Sequence, residues 1–363
     1  MDVVRLASEL VAIDSSDGEL EVARYIRSYL KGIGIRSQVI EFQRGRANVV
    51  AAIGGRSGGL MLNGHIDTVP AGDAASWRYG PGPVLKGNRL YGRGASDMKG
   101  GIAAILSAVG DLDVESISRK LLLAFVADEE RVFAGSLFLL RYKRDIFRGI
   151  DYGIIAEPTG MKLQVAQKGV VAMRLRFKGR SAHGSLPWLG DNAILKAARF
   201  VNEFDRLSSI ICKTDSILGK GTVNIGTING GTVENVVPAY CDVEIDRRIV
   251  PGETTAAAVL QVRSLLKRMG LSPDIKVKVA RDPFKLSGNE RVVGVMRSIS
   301  GTGLAASTGY TEAELYYREA GIRCIVYGPG NKNTIHTSRE YVNVANLKRA
   351  ARVIREAACR LCR

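Results

Sequence analysis

A chain of 363 residues has room for one large domain or two smaller ones, and its 46% apolar and 24% charged residues are typical of a folded globular protein. No apolar run approaches the roughly 20 residues of a membrane-spanning helix, so we expect no membrane partner. The net charge of +16 would suit nucleic acid, but the basic residues are dispersed and not interleaved with aromatic residues, so we expect no nucleic-acid partner either.

The first part of the chain predicts helices and strands in alternation. Apolar stripes at helical spacing predict two helices within residues 1–35, and strand-like runs follow at 39–42 and 48–53. Further strands are predicted at 60–64, 120–127 and 152–156, with helices at 98–112 and 134–141 between them. Strands that alternate with helices indicate an α/β fold with a mainly parallel sheet.

The pattern changes near residue 167. Residues 170–177 alternate apolar and polar side chains, as a strand with one solvated face does, and a helix, two strands, a helix and a strand follow. This β-α-β-β-α-β order is a ferredoxin-like α+β inventory. The α/β pattern then resumes. We therefore predict one domain made of residues 1–166 and 285–363, with a second domain, 167–284, inserted into it.

Residues able to bind a metal ion follow the predicted strands. His65 and Asp67 end one strand, and residues i and i+2 share a side of an extended chain, so one can bind a metal while the other orients it. Asp97 stands at the start of a helix. Taken alone, the first pair is also compatible with an ordinary surface His–Asp pair, and Asp97 with an ordinary helix cap.

Acidic residues follow the next two predicted strands. Glu129 and Glu130, next to Asp128, repel one another unless a cation is present, and one could bind a metal while the other accepts a proton from water. A solvated acidic loop is the alternative. Glu157 ends the following strand. Carboxylates and an imidazole delivered by successive strand ends to one place are a ligand set for zinc or a zinc-like ion.

Histidine and cysteine placement adds to this picture. The three histidines, His65, His183 and His336, each lie among Gly, Ser, Thr or Pro residues, as in loops. Five scattered cysteines fit reduced thiols better than a disulfide framework, and Cys359 and Cys362 favour a helix end over a metal or redox site. No signal-peptide pattern precedes the first helix, so we expect a cytoplasmic location.

The ordered motifs resemble a known family over essentially the whole chain. Residues 64–70 (Gly-His-Ile-Asp-Thr-Val-Pro) and 92–101 (Gly-Arg-Gly-Ala-Ser-Asp-Met-Lys-Gly-Gly) are similar to motifs of the co-catalytic zinc aminoacylases and exopeptidases. That family includes acetylornithine deacetylase, succinyl-diaminopimelate desuccinylase and the glutamate-releasing carboxypeptidase. The resemblance implies a catalytic domain that binds two divalent metal ions, Zn²⁺ first, with Co²⁺ or Mn²⁺ also able to use such ligands.

The resemblance also assigns roles position by position. It implies that Asp97 bridges both ions, that Asp67 orients His65 and that Glu129 is the general base. The metal ligands that it implies are His65, Asp97, Glu130, Glu157 and His336.

For the inserted domain, the resemblance implies roles in dimerisation and substrate binding. His183 would reach the active site of the partner subunit in a homodimer and polarise the scissile carbonyl. Asn235 and Arg248 match contacts to the substrate carboxylate, and Gly328-Pro329-Gly330 matches a closing loop.

The implied activity is hydrolysis of the amide bond of a small N-acyl amino acid, as in acetylornithine or succinyl-diaminopimelate deacylation in amino-acid biosynthesis. A dipeptidase or carboxypeptidase is the alternative within the family, and a non-catalytic binding protein of the same fold is the alternative outside it. Two positions depart from the family pattern: Glu312 stands where many relatives have Asp, and Ile335 stands where a small residue is usual.

Overall fold

The chain forms two compact units. The computed structural model describes residues 2–363, except for the side chains of 209–211. The first unit comprises the described residues up to Val165 with Leu286–Ala305 and Thr311–Arg363; the second comprises Ala166–Lys285 and Ala306–Tyr310. Nothing in the sequence indicated that the short segment 306–310 belongs with the second unit.

Helices and strands alternate through most of the chain. The helices are α1 (Val3–Val11), α2 (Leu20–Gly32), α3 (Lys99–Gly110), α4 (Ala134–Tyr142), α5 (Ala193–Ile211), α6 (Thr255–Arg268), α7 (Arg291–Ser300), α8 (Ala313–Ala320) and α9 (Val344–Cys362). The strands are β1 (Ser37–Gln43), β2 (Arg46–Ile53), β3 (Gly59–His65), β4 (Val84–Lys86), β5 (Arg89–Tyr91), β6 (Leu121–Val126), β7 (Ile150–Ile155), β8 (Leu163–Gln167), β9 (Gly169–Lys178), β10 (Thr214–Asp215), β11 (Gly219–Lys220), β12 (Thr222–Gly230), β13 (Tyr240–Ile249), β14 (Asp274–Arg281), β15 (Phe284–Lys285), β16 (Leu304–Ser307), β17 (Arg323–Val326) and β18 (Tyr341–Asn343).

The large sheet has a parallel centre. Its order is β1-β2-β6-β3-β7-β17-β8-β15. Strands β6, β3, β7 and β17 run parallel, whereas β1 and β2 on one side and β8 and β15 on the other pair antiparallel. The central strands are apolar and buried, as expected for parallel strands covered on both faces. The predicted α/β fold with a mainly parallel sheet is confirmed, and its antiparallel flanks make the sheet mixed.

Adjacent residues of β3 show that helices cover both faces of this sheet. The amide Nδ2 of Asn63 donates to the hydroxyl of Tyr316 in α8 at 3.1 Å, whereas a Cβ on Gly64 would meet Met98 and Ile102 of α3. Neighbouring residues of a strand point to opposite faces, so α8 and α3 lie on opposite sides. Helices α1 and α9 pack with α3, and α4 packs with α8.

The second unit contains a four-stranded antiparallel sheet. Its order is β12-β13-β9-β14, which places the first strand of the β-α-β-β-α-β series between the third and the fourth. Along β9 the side chains alternate: Met173 and Leu175 are buried against α5 and α6, and Arg176 faces solvent and pairs with Asp242. This topology is ferredoxin-like, as expected.

Some elements were not foreseen. Helix α8 and strands β8 and β18 lie in segments that the sequence analysis left without regular structure. The residues Cys359 and Cys362 do lie in the last turn of α9, and all five cysteines are free. Within residues 2–363, no helix is both long enough and apolar enough to cross a lipid bilayer.

Candidate metal centre

The candidate site lies at the carboxyl ends of the parallel strands of the first unit. His65 is the last residue of β3 and is fully buried. Glu129 and Glu130 follow β6, Glu157 follows β7, and His336 lies beyond β17. Parallel strands end at one edge of their sheet, and ligands bind outside those ends where the strand order reverses. Here the reversal is at β3, whose neighbours β6 and β7 both follow it in the chain.

Asp97 lies between two imidazoles. Its Oδ1 is 3.1 Å from Nε2 of His65, and its Oδ2 is 3.4 Å from Nε2 of His336. Nε2 of His336 is also 2.9 Å from Oε2 of Glu130. Nε2 of His65 is also 3.8 Å from Oε1 of Glu157. Nε2 of each imidazole therefore faces one oxygen of Asp97 and one further carboxylate.

Asp97 is not a helix cap. The residue that precedes α3 is Met98, no side chain caps this helix, and the Asp97–Met98 peptide bond is cis. The carboxylate of Asp97 contacts the two imidazoles and accepts no hydrogen bond as a cap of α3. The interpretation of Asp97 as an ordinary helix cap, which the sequence left open beside a ligand role, is wrong.

Two groups of side chains could hold an ion. The ligand atoms of His65, Glu129 and Glu157 lie within 4.8 Å of one another, and so do those of His65, Asp97 and Glu130. Glu129 and Glu130, although adjacent in the chain, therefore belong to different groups. They lie beyond the end of β6, where the preceding Asp128 has left-handed backbone geometry (φ 68°), so the alternation of side chains along a strand is not what separates them.

Asp67 connects the imidazole of His65 to the acidic loop. Its Oδ1 is 3.5 Å from Nδ1 of His65, which also lies 3.0 Å from the backbone oxygen of Asp67. The two carboxylate oxygens accept hydrogen bonds from the backbone N–H groups of Glu129 and Glu130, each at 3.1 Å. Burial alone would raise the pKa of Asp67. The hydrogen bond and charge of His65, together with the two backbone hydrogen bonds, outweigh burial and lower that pKa.

Burial and crowding perturb the acids of the cluster. Burial, reinforced by the charge of Glu157, raises the pKa of Glu129 well above its ordinary value, and burial raises that of Glu157 in the same way. Hydrogen bonds to Asp97 and Glu130 raise the pKa of His336 to about 10. Nearby like charges disfavour ionisation, and nearby opposite charges favour it. Without metal, the raised pKa values of Glu129, Glu157 and His336 therefore favour the protonated form of each.

The residues fit a divalent cation. Oε1 of Glu157 is buried and has no hydrogen-bond partner among the described residues, although a buried carboxylate oxygen without a partner is costly. The imidazoles of His65 and His336 lie among several carboxylates, which are those of Asp67, Asp97, Glu129, Glu130, Glu157 and Glu312. Imidazole and carboxylate ligands of this kind suit zinc and related ions.

A buried ion pair that the sequence did not indicate supports the Asp97 loop. Oε1 of Glu340 accepts hydrogen bonds from the backbone N–H groups of Ser96 (3.0 Å) and Asp97 (3.1 Å), and its other oxygen pairs with Arg93. The guanidinium of Arg93 lies over the ring of Trp77, 5.1 Å from its centroid. Arg93 lies inside a recognised motif, but no local pattern marks Glu340, because its partners are distant in the chain.

Arg46 supports the acidic loop in a similar way. Its guanidinium pairs with Glu19 at 2.7 Å and with Asp128 at 2.6 Å, and Asp128 also accepts the N–H of Ala134. This pairing fixes the residue immediately before Glu129.

A second network lies on the α8 side. Ser136 bonds both Glu312 and the hydroxyl of Tyr316, each at 3.1 Å, and burial raises the pKa of Glu312 to about 7. The sequence singled out Glu312 as a departure from the family pattern and assigned it no contacts.

The predicted catalytic residue His183 and the predicted substrate-binding residues Asn235 and Arg248 lie in the second unit, and they do not all lie together. His183 is exposed, and the N–H of Gly184 bonds the backbone oxygen of Asn235, which brings these two segments side by side. Arg248 lies near the other end of β13, eight residues or roughly 26 Å from Tyr240. Its guanidinium pairs with Asp246 on the same strand at 2.8 Å.

Comparison with known proteins gives a consistent family. Residues 61–360 match the model of "Peptidase family M20/M25/M40". An acetylornithine deacetylase of Myxococcus xanthus is 30% identical, with 98% of this chain and 96% of the relative covered; a probable succinyl-diaminopimelate desuccinylase of Staphylococcus aureus is 27% identical, with 95% of each covered.

Solved structures show the same fold. A Bacillus cereus aminopeptidase superposes with a TM-score of 0.80 at 22% identity, covering 100% of this chain and 98% of that one. A Bacillus subtilis protein described as a dinuclear metal-binding peptidase of family M20 superposes with a TM-score of 0.74 at 16% identity, covering 99% and 97%. The family resemblance drawn from the motifs is confirmed. The chain therefore belongs to peptidase family M20/M25/M40, and it is a metal-dependent hydrolase.

Proposed function

We propose that this enzyme hydrolyses the amide bond of small N-acyl amino acids at a centre that binds two divalent ions. The observation that carries the proposal is Asp97, whose two oxygens face the two imidazoles. In the proposed arrangement, His65, Asp97 and Glu157 hold one ion, and Asp97, Glu130 and His336 hold the other. Zn²⁺ is the first choice, and Co²⁺ and Mn²⁺ can use the same ligands.

Glu129 is the proposed general base. Divalent ions at such a centre supply Lewis acidity, which polarises a carbonyl oxygen and makes water acidic. The carboxylate of Glu129 accepts the proton of the attacking water and returns it to the leaving nitrogen. Glu129 is half-buried beside Glu157, which raises its pKa, and this favours the role because an acid with a raised pKa holds a proton between the two steps. Asp67 keeps the imidazole of His65 in orientation through Nδ1.

The second unit is proposed to complete the site in a homodimer. His183 would donate a hydrogen bond to the developing oxyanion in the partner subunit, and Asn235 and Arg248 would bind the substrate carboxylate. The segments around His183 and Asn235 expose Trp188 (71%) and Val233 (54%), and large exposed apolar side chains often mark a contact surface. A substrate carboxylate at Arg248 would compete with Asp246 for the guanidinium.

Several observations favour a deacylase of the cytoplasm. The relatives that align over nearly the full chain are named as a deacetylase and a probable desuccinylase, whereas the peptidases resemble the chain at lower identity. Five free cysteines suit a reducing compartment. A dipeptidase or carboxypeptidase is the second candidate, because solved structures of both kinds share the fold.

A substrate panel tests the proposal. The protein would be chelated, reloaded with Zn²⁺ or Co²⁺, and offered N-acetylornithine, N-acetyl-lysine, N-succinyl-diaminopimelate and several dipeptides. We expect release of amine from an N-acyl amino acid, dependent on added metal, and dipeptides cleaved far more slowly. Preferential cleavage of a dipeptide would favour the second candidate, and no cleavage of any compound by metal-loaded protein would contradict both.

A further inference from the structure

One cavity of the first unit, which we call the hairpin cavity, is lined by arginine and aromatic side chains. It has a volume of about 350 Å³ and lies between the hairpin of β4 and β5, strand β18 and residues 333–339. None of the carboxylates or imidazoles of the metal centre lines it. A volume of this size is near the lower end for small-molecule sites and suits a compact ligand.

Three short strands give the cavity a fixed floor. Strands β4, β5 and β18 form an antiparallel sheet in which Tyr91 lies directly opposite Tyr341. Arg89 is two residues from Tyr91 and so shares its face. Leu90, which lies between them, and Val342, which lies opposite Leu90 on β18, are fully buried on the other face. The side chains of Arg89, Tyr91 and Tyr341 are therefore placed by a packed sheet, whereas residues within 77–80 and 333–339 line the cavity from the segments beside it.

The walls of the cavity are aromatic. The rings of Tyr79 and Tyr91 meet edge to face with centroids 4.9 Å apart, and those of Tyr91 and Tyr341 lie 5.5 Å apart. Trp77, only 7% exposed, is fixed by a 2.9 Å hydrogen bond from its indole N–H to the backbone oxygen of Ala71. Such rings offer faces and edges on which a flat apolar group can pack.

The charge of the cavity is positive. Arg78, Arg89 and Arg339 line it, and no acidic residue does. None of the three forms an ion pair with any side chain in the described part of the protein. Two of their guanidinium groups rest on rings, that of Arg78 5.2 Å from the centroid of Tyr79 and that of Arg89 4.4 Å from the centroid of Tyr341. A guanidinium held on a ring face keeps its N–H groups available for an oxyanion.

We propose that the hairpin cavity binds a small planar organic anion. The flat part of the ligand packs on the tyrosine and tryptophan rings, and its carboxylate or similar oxyanion is held by Arg89 and Arg339. Since guanidinium binds a carboxylate with two parallel hydrogen bonds, the site discriminates against neutral ligands of the same shape. The lining contains none of the proposed metal ligands, and Thr334 and Ser338 flank His336 in the chain.

Tryptophan fluorescence tests the proposal with benzoate as the probe. The chain has two tryptophans, Trp77 and Trp188, so Trp188→Phe leaves the cavity residue as the single reporter. Metal-loaded protein of this variant would be titrated with benzoate and, at the same ionic strength, with its neutral isostere benzamide. We expect saturable quenching by benzoate and binding of benzamide about tenfold weaker or more, as the loss of one charge-assisted hydrogen bond implies.

Arginine substitutions complete the test. Arg89→Gln and Arg339→Gln should each weaken benzoate binding by about fivefold or more and leave benzamide binding nearly unchanged. Arg148→Gln, at an exposed arginine remote from the cavity lining, is the matched control and should leave both unchanged. The proposal is overturned if neither fluorescence nor calorimetry detects benzoate, if benzamide binds equally well, or if both cavity substitutions leave benzoate affinity intact.

Discussion

At the scale of single residues, one carboxylate is central to the candidate metal centre. Asp97 presents one oxygen to His65 and the other to His336, so the two ion sites of the proposed arrangement would share this side chain. Around it, burial raises the pKa of Glu129 and Glu157, and neighbouring carboxylates raise that of His336. Protons should therefore leave this site when metal binds, and one acid should transfer a proton during hydrolysis.

The proton-transfer role is tested by Glu129→Gln. The amide keeps the size of the side chain but cannot accept a proton from water, so we expect kcat to fall by about 10²–10⁴-fold. Bound metal, measured by atomic spectroscopy, should stay at the wild-type level. If kcat is preserved, Glu129 is not the base; if the metal is lost together with the activity, Glu129 is instead a ligand.

Metal binding should release protons from the site. In the metal-free protein the pKa of His336 is about 10, so at neutral pH its imidazole is charged, whereas a metal ligand must be neutral. Apparent metal affinity should therefore rise as pH rises towards that value and fall as pH drops. Calorimetric titrations in buffers of different ionisation enthalpy measure the released protons. His336→Asn should release about one proton fewer per protein, and an unchanged number would contradict this role of His336.

At the scale of secondary-structure elements, candidate metal ligands lie at or just beyond strand ends, and buried ion pairs hold the loops that carry them. Strands β3, β6 and β7 end beside one another and carry His65, Glu129 and Glu157 into one region. The loop that carries Asp97 is fixed separately, by Glu340 and Arg93, because Glu340 accepts the backbone N–H groups of Ser96 and Asp97. Precise metal binding should therefore depend on residues that touch no metal.

Glu340→Gln tests this dependence. The substitution removes the charge that pairs with Arg93 and weakens the acceptor for two backbone N–H groups, so metal affinity should fall by about 10–100-fold. Competition with a chromophoric chelator measures the affinity. Glu356→Gln, at a partly exposed glutamate of α9 paired with Arg360, is the matched control and should leave the affinity unchanged. Equal affinities in both variants would contradict the supporting role of Glu340.

The sequence predicted most elements because their signals are local. Apolar runs marked the buried strands β3, β6 and β7, and alternation marked β9. It did not predict β18, which has three residues and pairs with β5 some 250 positions earlier in the chain. The roles of Glu340 and Arg46 were not predicted for the same reason. Their partners are distant in sequence, and no nearby residue pattern indicates the contact.

At the scale of the whole molecule, the chain divides into a unit that carries the metal centre and a unit that carries His183, Asn235 and Arg248. Within the second unit, His183 and Asn235 lie near one end of its sheet and Arg248 near the other. One small substrate cannot contact all three in a single copy of this unit. In the proposed homodimer, one copy would contribute Arg248 and the other His183 and Asn235.

Mixing two inactive variants tests the homodimer. If His183 acts on the partner's site, Glu129→Gln and His183→Ala proteins should each be nearly inactive. A dimer that contains one copy of each has one complete site, so subunit exchange in an equal mixture should restore about a quarter of wild-type activity. If His183 acts within its own chain, mixing restores nothing. A fully active monomer in analytical ultracentrifugation would also contradict the role in the partner.

The most direct test of the account is a metal titration of the chelated protein, followed by hydrolysis of an N-acyl amino acid and by anomalous diffraction of the loaded crystals. The account predicts two ions per chain, one beside His65 and Glu157 and the other beside Glu130 and His336, with Asp97 between them and activity rising as they bind. Activity that survives complete chelation, or a loaded protein with no ion beside Asp97, would contradict it.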